Sequence, residues 1–395
     1  MREFLCPGNI DRDAFFIVKK LQNAGFSAFI VGGSVRDLLI NRTPKDFDIA
    51  TNATPREIRR IFRNSRVIGR RFKLVHVFFN NNKIIETSTF RSNPQQIDSD
   101  DLLITSDNNF GTAQEDALRR DFTVNGLFYD PVSDKIIDYV DGLKDIDLRS
   151  IRTIGNPDIR FQEDPVRIIR AIRFAGKLDF RIEDETWYNM VHHREKILES
   201  SPRRVLDEIW KTILSGYATD IFPLFIQSGM MKVVLPEIDE WMATEPGYSI
   251  MKETFGLIDT AINHPLLQPG ISALLIFQGT YQELFEERYF KGNIVTSVFR
   301  NNLNTMLEKY GFSRKIRDEI HQILQIFAQI GHPGLERKIL PRTRGRQLFP
   351  QAEFFWNLVW KSRGFSIQIL DNKLDVKNSG KVSSRRRHAK KNDRR

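Results

Sequence analysis

The chain has 395 residues, 41% of them hydrophobic and 28% charged, with a formal net charge of +10. That balance excludes a wholly disordered polymer, and a single cysteine, Cys6, excludes an intramolecular disulfide scaffold or a thiolate zinc site. No apolar run approaches the ~20 residues of a membrane span, and the first seven residues carry no signal-like apolar stretch, so a soluble cytoplasmic protein of two or three domains is expected.

The first ~140 residues alternate strand and helix signals. Residues 26–31 (Phe26 to Val31) read as a buried strand ending in the Gly32-Gly33 turn, with a short helix from Ser34. A second short strand is expected over 46–50. Thr54-Pro55-Arg56-Glu57 and Thr112-Ala113-Gln114-Glu115 are capping boxes, each of which opens a helix. The β-rich runs 67–79 and 83–90 flank Asn80-Asn81-Asn82 and predict a hairpin; 122–129 and 135–140 predict another. The polar stretch 92–111 between them reads as a mobile loop. Beyond 150 the strand signals fade. A helix is expected over 164–175, N-capped by Asp164-Pro165 and closed by Gly176, and another from Ser201-Pro202 with Val205, Leu206, Ile209, Trp210, Ile213 and Leu214 on one face.

The charge is concentrated at one end. Residues 377–395 hold nine Lys or Arg against Asp393, a net +8, and have almost no apolar side chains. Such a segment cannot pack and is expected to be disordered; its Arg385, Arg386, Arg387, Lys390 and Lys391 would seek a polyanion, RNA phosphate above all. A merely solubilising tail is the plainer alternative.

Asp46-Phe47-Asp48 is the first chemical feature. On a strand the two carboxylates would share a face and repel unless a cation such as Mg²⁺ sat between them. A dozen residues earlier, Gly32 and Gly33 end a strand at a helix start, a turn that suits a triphosphate. Glu86 follows two isoleucines and so breaks the strand alternation, which marks it as a third acid. His192-His193 has no acidic partner at ligand spacing and reads as surface.

Gly32-Gly33-Ser34-Val35-Arg36-Asp37 followed by Lys45-Asp46-Phe47-Asp48 resembles the signature of the polymerase-β-type nucleotidyltransferases, in particular the bacterial group that contains poly(A) polymerases and tRNA CCA-adding enzymes. Two further blocks match that group: Arg119-Arg120-Asp121-Phe122-Thr123-Val124-Asn125 and the run from Glu163 to Phe174. The resemblance implies an α/β nucleotidyltransferase head (mixed sheet with helices) over 1–150, then an all-α elongated body, divided into a helical RNA-binding neck over 151–245 and a body over 246–376, before the basic tail of 377–395. It also implies roles. Asp46 and Asp48 would hold two Mg²⁺ ions, with Glu86 completing the carboxylate set. Gly32, Gly33, Arg36 and Arg120 would meet the phosphates of ATP, and Asp121, close to catalytic, its ribose, with Asn125 nearby. Asp164 would accept from the adenine amino group while Arg167 donates to the adjacent ring nitrogen; Arg170 and Arg173 continue that stripe.

The implied activity is template-independent addition of AMP from ATP to RNA 3′ ends, with pyrophosphate released. The run 68–77 (Ile68-Gly69-Arg70-Arg71-Phe72-Lys73-Leu74-Val75-His76-Val77) and the basic tail resemble poly(A) polymerases; tRNA CCA addition is the alternative, and a catalytically inactive RNA-binding protein is the alternative of another class. Asn41 departs from the family, which usually has Gly there. No His-Asp dipeptide occurs, which argues against an appended phosphohydrolase of that type.

Overall fold

The computed structural model describes residues 10–69, 73–92, 110–286, 297–334 and 339–366. The polar stretch 93–109 and the basic tail therefore lie outside the described residues.

The head begins with α1 (Arg12–Asn23), β1 (Ala28–Val31), α2 (Gly33–Leu39), β2 (Asp48–Thr51) and α3 (Pro55–Ile61). It continues with β3 (Ser65–Ile68), β4 (Leu74–Phe78), β5 (Ile84–Thr89), α4 (Ala113–Leu118), β6 (Phe128–Asp130) and β7 (Lys135–Ile137). The seven strands form one mixed sheet in the order β3-β4-β5-β2-β1-β6-β7; β2 and β5 are parallel and the other neighbours antiparallel. Both capping boxes form, at Thr54 with Glu57 and at Thr112 with Glu115. The run 67–79 is not one strand. It splits into β3 and β4, which pair with each other, and only β4 turns into β5 through Asn81 and Asn82, both left-handed. The second expected hairpin shrinks to β6 and β7, because Thr123–Asn125 coils into a 3₁₀ turn.

Past the sheet come α5 (Gly142–Asp147), β8 (Ser150–Ile151), α6 (Pro157–Glu163), α7 (Val166–Leu178), β9 (Arg181–Ile182), α8 (Asp184–His192) and α9 (Pro202–Ile213). The rest is helical: α10 (Ala218–Gln227), α11 (Met230–Val234), α12 (Pro236–Met242), α13 (Glu245–Thr260), α14 (Pro269–Ile276), α15 (Ser297–Lys309), α16 (Arg314–Ile330), α17 (Pro341–Arg344) and α18 (Phe349–Lys361). One continuous core runs from Ala14 and Ile30 in the head to Phe355 and Trp360 at the far end. No described helix is long and apolar enough to cross a membrane.

Three local expectations need correction. Asp164 does not N-cap a helix; it ends α6, and its carboxylate bonds a side chain instead. Gly176 does not close α7. It lies inside that helix where a Cβ would come within 2.6 Å of Ile221 Cγ1 on α10, so its role is close approach, and the helix ends at left-handed Asp179. His193 is not at the surface: it is 6% exposed and its Nε2 sits 2.7 Å from Asp158 Oδ1, an acid too far along the chain to be seen by spacing. At Asn41, φ is +58°, a conformation asparagine tolerates nearly as glycine does.

Candidate active site

Strand register builds the acidic half of the site. Asp48 opens β2 opposite Glu86 of β5, and Glu86 lies opposite His76 of β4. Directly opposed residues on paired strands project to the same face. Asp48 shares its face with Ala50, part of the small core of Val31, Phe90 and Phe128. Two sequence readings change here. Asp46 precedes the strand, in the loop before it, and acts on Asp48 through its charge. Glu86 does not break an alternation, since Ile84 and Glu86 point outward while Ile85 and Thr87 are buried. What distinguishes Glu86 is the acid across from it.

The charges of this group act on one another. Burial first, then the negative charge of Glu86, with Asp46 adding, push the Asp48 carboxyl up to about 6 against the pull of Arg120. His76 Nε2 lies 3.3 Å from Glu86 Oε1. Uncompensated carboxylates in one place are what a divalent cation neutralises. Among the described residues no three acid, imidazole or thiol side chains close around a single point. The set is thus an open one, in the manner of Mg²⁺ sites that take one or two carboxylates and fill the remaining positions with substrate oxygens and water. The donors fit that ion.

Opposite the acids is a basic wall. Gly32 has φ +74°, and a Cβ there would stand 3.0 Å from Arg120 Nη1, so glycine serves both the turn and the approach of the arginine. The Gly32 amide donates to the Leu127 carbonyl. Arg36 is buried, forked onto Asp37 and bonded to Asn125 Oδ1. Arg120 is held by Asp116 at 3.0 Å. Asp121 receives Arg170 through Nε and Nη2 at 2.8 and 2.5 Å on one oxygen, and the Phe122 amide and Asn125 Nδ2 at 2.9 and 3.3 Å on the other. Burial would raise it, but the Arg170 charge and these donors overcome burial and hold its carboxyl down at about 2.

One cleft of ~540 Å³ gathers part of this set, without Asp46, Glu86 or His76 in its lining. Gly32, Gly33, Arg36, Asp48, Arg120, Asp121, Asn125, Asp164, Arg167 and Arg170 all face it. Asp164 accepts from Arg204 Nη2 at 2.8 Å through Oδ2, while its buried Oδ1 has no hydrogen-bond partner. Arg167 Nη1 is anchored on the Arg160 carbonyl at 2.8 Å and on Glu163 at 3.2 Å. Arg173 is not in the lining; it binds Glu208 at 2.9 Å behind the cleft. Sequence reasoning missed Arg204, Asp207, Glu208 and Lys211, all from α9, together with Phe174. Glu208 is the buried knot of the wall, reached by Arg170, Arg173 and Lys211. Those α9 residues recur at helical spacing opposite the apolar stripe, the one signal that could have found them.

The family profile described as "Poly A polymerase head domain" matches residues 28–152, and the one described as "Probable RNA and SrmB- binding site of polymerase A" matches 179–242. Poly(A) polymerase I of Escherichia coli O157:H7 is 39% identical over 270 residues, 65% of this chain and 58% of that protein. Through residues 28–242 the chain belongs to the tRNA nucleotidyltransferase/poly(A) polymerase family. The same comparison finds Poly(A) polymerase I of Haemophilus influenzae, 40% identical over 60% of this chain and 54% of that one. It also finds the CCA-adding enzyme of Lactobacillus johnsonii, 35% identical over 66% and 62%. The chain spans a little over half the length of the poly(A) polymerases it matches. Among solved structures, the Bacillus stearothermophilus CCA-adding enzyme in complex with CTP superposes with a TM-score of 0.62 at 25% identity, over 89% of this chain and 78% of that one. A CCA-adding enzyme with ATP gives 0.61 at 18% identity, over 90% and 82%, a likeness of fold.

Proposed function

We propose that this chain adds AMP from ATP to RNA 3′ ends without a template, releasing pyrophosphate. The observation that carries the reading is the single cleft in which the acid Asp48, the Gly32-Gly33 turn, the Arg36 and Arg120 wall and the Asp164–Arg167 pair all meet. Asp46 and Asp48 would hold Mg²⁺, with Glu86 across from Asp48 adding negative charge; when bound, the metal would lower the pKa of the attacking 3′-hydroxyl and steady the leaving pyrophosphate. Arg120 and Arg36 place positive charge where the triphosphate lies. Arg170, fixed by Asp121 and Glu208, keeps its charge at any working pH, and burial of Asp121 beside it orders the wall before substrate arrives. All four acceptor positions of Asp121 are taken, so a ribose hydroxyl would displace its weakest donor, Asn125 at 3.3 Å.

The base would be read by Asp164 and Arg167. An orphaned buried acceptor beside a fixed donor suits an amino group next to a ring nitrogen, which adenine presents. Cytosine presents the same pair, so CCA addition to tRNA is the second reading, favoured by the likeness to the CTP-bound enzyme. The poly(A) polymerases reach 39–40% identity over 60–65% of this chain, whereas a CCA-adding enzyme reaches 39% over 52% of it, and that longer match supports the first. The head over 1–150 would then carry the chemistry, and the neck over 151–245 the RNA. Purified chain and Mg²⁺ are incubated with unstructured RNA and, separately, with tRNA lacking its 3′ end. Long adenylate ladders with ATP alone are expected; short additions that need CTP would establish the second reading, and no addition to either would leave an RNA-binding protein.

A further inference from the structure

At the end of the body remote in sequence from the catalytic cleft, Arg363 follows the end of α18. Its guanidinium lies 3.7 Å from the centre of the Phe285 ring, and its Nη1 donates to Gln278 Oε1 and to the Val359 carbonyl at 3.2 Å. Gln278 is wholly buried and is itself held by Thr254 Oγ1 at 2.8 Å and the Leu275 carbonyl at 2.9 Å. Every partner is neutral; among the described residues no carboxylate answers this charge. Burial pushes the guanidinium down to about 10, with only Tyr281 opposing, so it remains a cation at neutral pH. A half-buried cation with neutral partners is a costly arrangement for stability alone.

The charge has an outlet. Arg363 forms the floor of a second cleft, of ~800 Å³, between α13 and the end of α18. Its Nε and Nη2 have no protein acceptor among the described residues and are not sealed from solvent. Lys252 and Lys361 flank it, both exposed, and the hydroxyl-bearing Ser249 adds to the wall. Glu253 is the one acid in the described lining. A planar fork of free N–H donors between two ammonium groups matches a phosphate oxyanion rather than a carboxylate-poor apolar ligand.

We propose that the cleft between α13 and the end of α18, floored by Arg363 and flanked by Lys252 and Lys361, binds a backbone phosphate of the RNA substrate. This assignment rests on the RNA-directed reading above. It gives the body a fixed phosphate contact separate from the charge of residues 377–395. The test compares the full chain with the Lys252→Gln/Lys361→Gln double variant, with Arg363→Gln, and with an Arg314→Gln/Lys315→Gln control that loses the same charge at the start of α16. Affinity for an unstructured RNA is read by fluorescence anisotropy across a salt series, and the same preparations of wild-type chain are assayed for adenylate transfer. The lysine pair is expected to weaken RNA binding about three- to ten-fold and to lower the slope of log affinity against log salt by about 1, with the control close to wild type. Arg363→Gln should act in the same direction; the exposed lysine pair carries the test if that variant does not fold. Equal loss in the control, or no change in the lysine pair, overturns the site even if the wild type transfers adenylate, so its failure is separable from that of the proposed function. Stabilisation by millimolar inorganic phosphate that the lysine pair abolishes, with RNA affinity untouched, would overturn the RNA assignment in favour of free phosphate.

Discussion

Arg170 is the side chain on which the wall of the cleft depends. It forks onto Asp121 and also reaches Glu208, which in turn holds Arg173 and Lys211. Arg170→Gln leaves two carboxylates poorly compensated in a partly buried place, and removal of one partner from such a pair costs about 3 kcal/mol. The urea midpoint should fall accordingly, and adenylate transfer should drop with it. The pH dependence follows from Asp121. Its folded carboxyl titrates at about 2, below the ordinary 3.8, so its contribution is fully present above pH 3.8 and is lost as the pH falls towards 2. In Arg170→Gln that depression is relieved, and acid unfolding followed by circular dichroism should lose the part of its slope that lies in this window. An unchanged acid limb would show that Asp121 is not held by Arg170 in solution.

Among elements, the pairing of α7 with α10 shows what pattern reading can and cannot reach. Gly176 reads as a helix stop because glycine so often ends helices, yet here it is interior, where its missing side chain lets α10 approach. A methyl group would meet Ile221 Cγ1 at 2.6 Å and Ile221 Cα at 2.8 Å. Alanine gains about 1 kcal/mol of helix propensity but overpacks against backbone at a cost near 3 kcal/mol, so overpacking wins. Gly176→Ala should therefore lower the melting temperature; a rise would mean that the helices part freely. The strands teach a related lesson. Gly32-Gly33 and the Asp46–Asp48 run were legible because the turn and the acids are local in sequence. Glu86 stands in a regular alternation that does not mark it, and only the parallel register with Asp48 reveals its setting. The α9 wall shows in the sequence only as a polar stripe at helical spacing, because Arg204, Asp207, Glu208 and Lys211 look like any solvent-facing helix face until α9 lies beside α7. His193 was misread for the same reason, as its partner Asp158 is 35 residues away.

For the molecule as a whole, the division into a mixed-sheet head and a helical body was legible from where strand signals stop, whereas the packing of the body was not. Past about 245 nothing in the pattern announced the buried Gln278–Thr254 contact or the Arg363 floor, since both arise from helices far apart in sequence. Charge distribution belongs at this scale too. Residues 377–395 hold +8 of the chain's +10. If they contact RNA phosphate, deletion of 377–395 should weaken RNA binding several-fold and flatten its salt dependence, since each neutralised phosphate on a single strand contributes about 0.7 to the slope. A deletion variant with an unchanged slope would assign the tail to solubility instead.

In the proposed reading the acids of the open sheet face carry nucleotidyl transfer. Wild type is set beside Asp48→Asn, with Mg²⁺, ATP and an unstructured RNA, and product length on a denaturing gel is read together with RNA affinity. Adenylate ladders are expected from the wild type, with about a thousandfold slower addition by the variant and RNA affinity within about twofold. Ladders from Asp48→Asn at a rate near that of the wild type would contradict that reading.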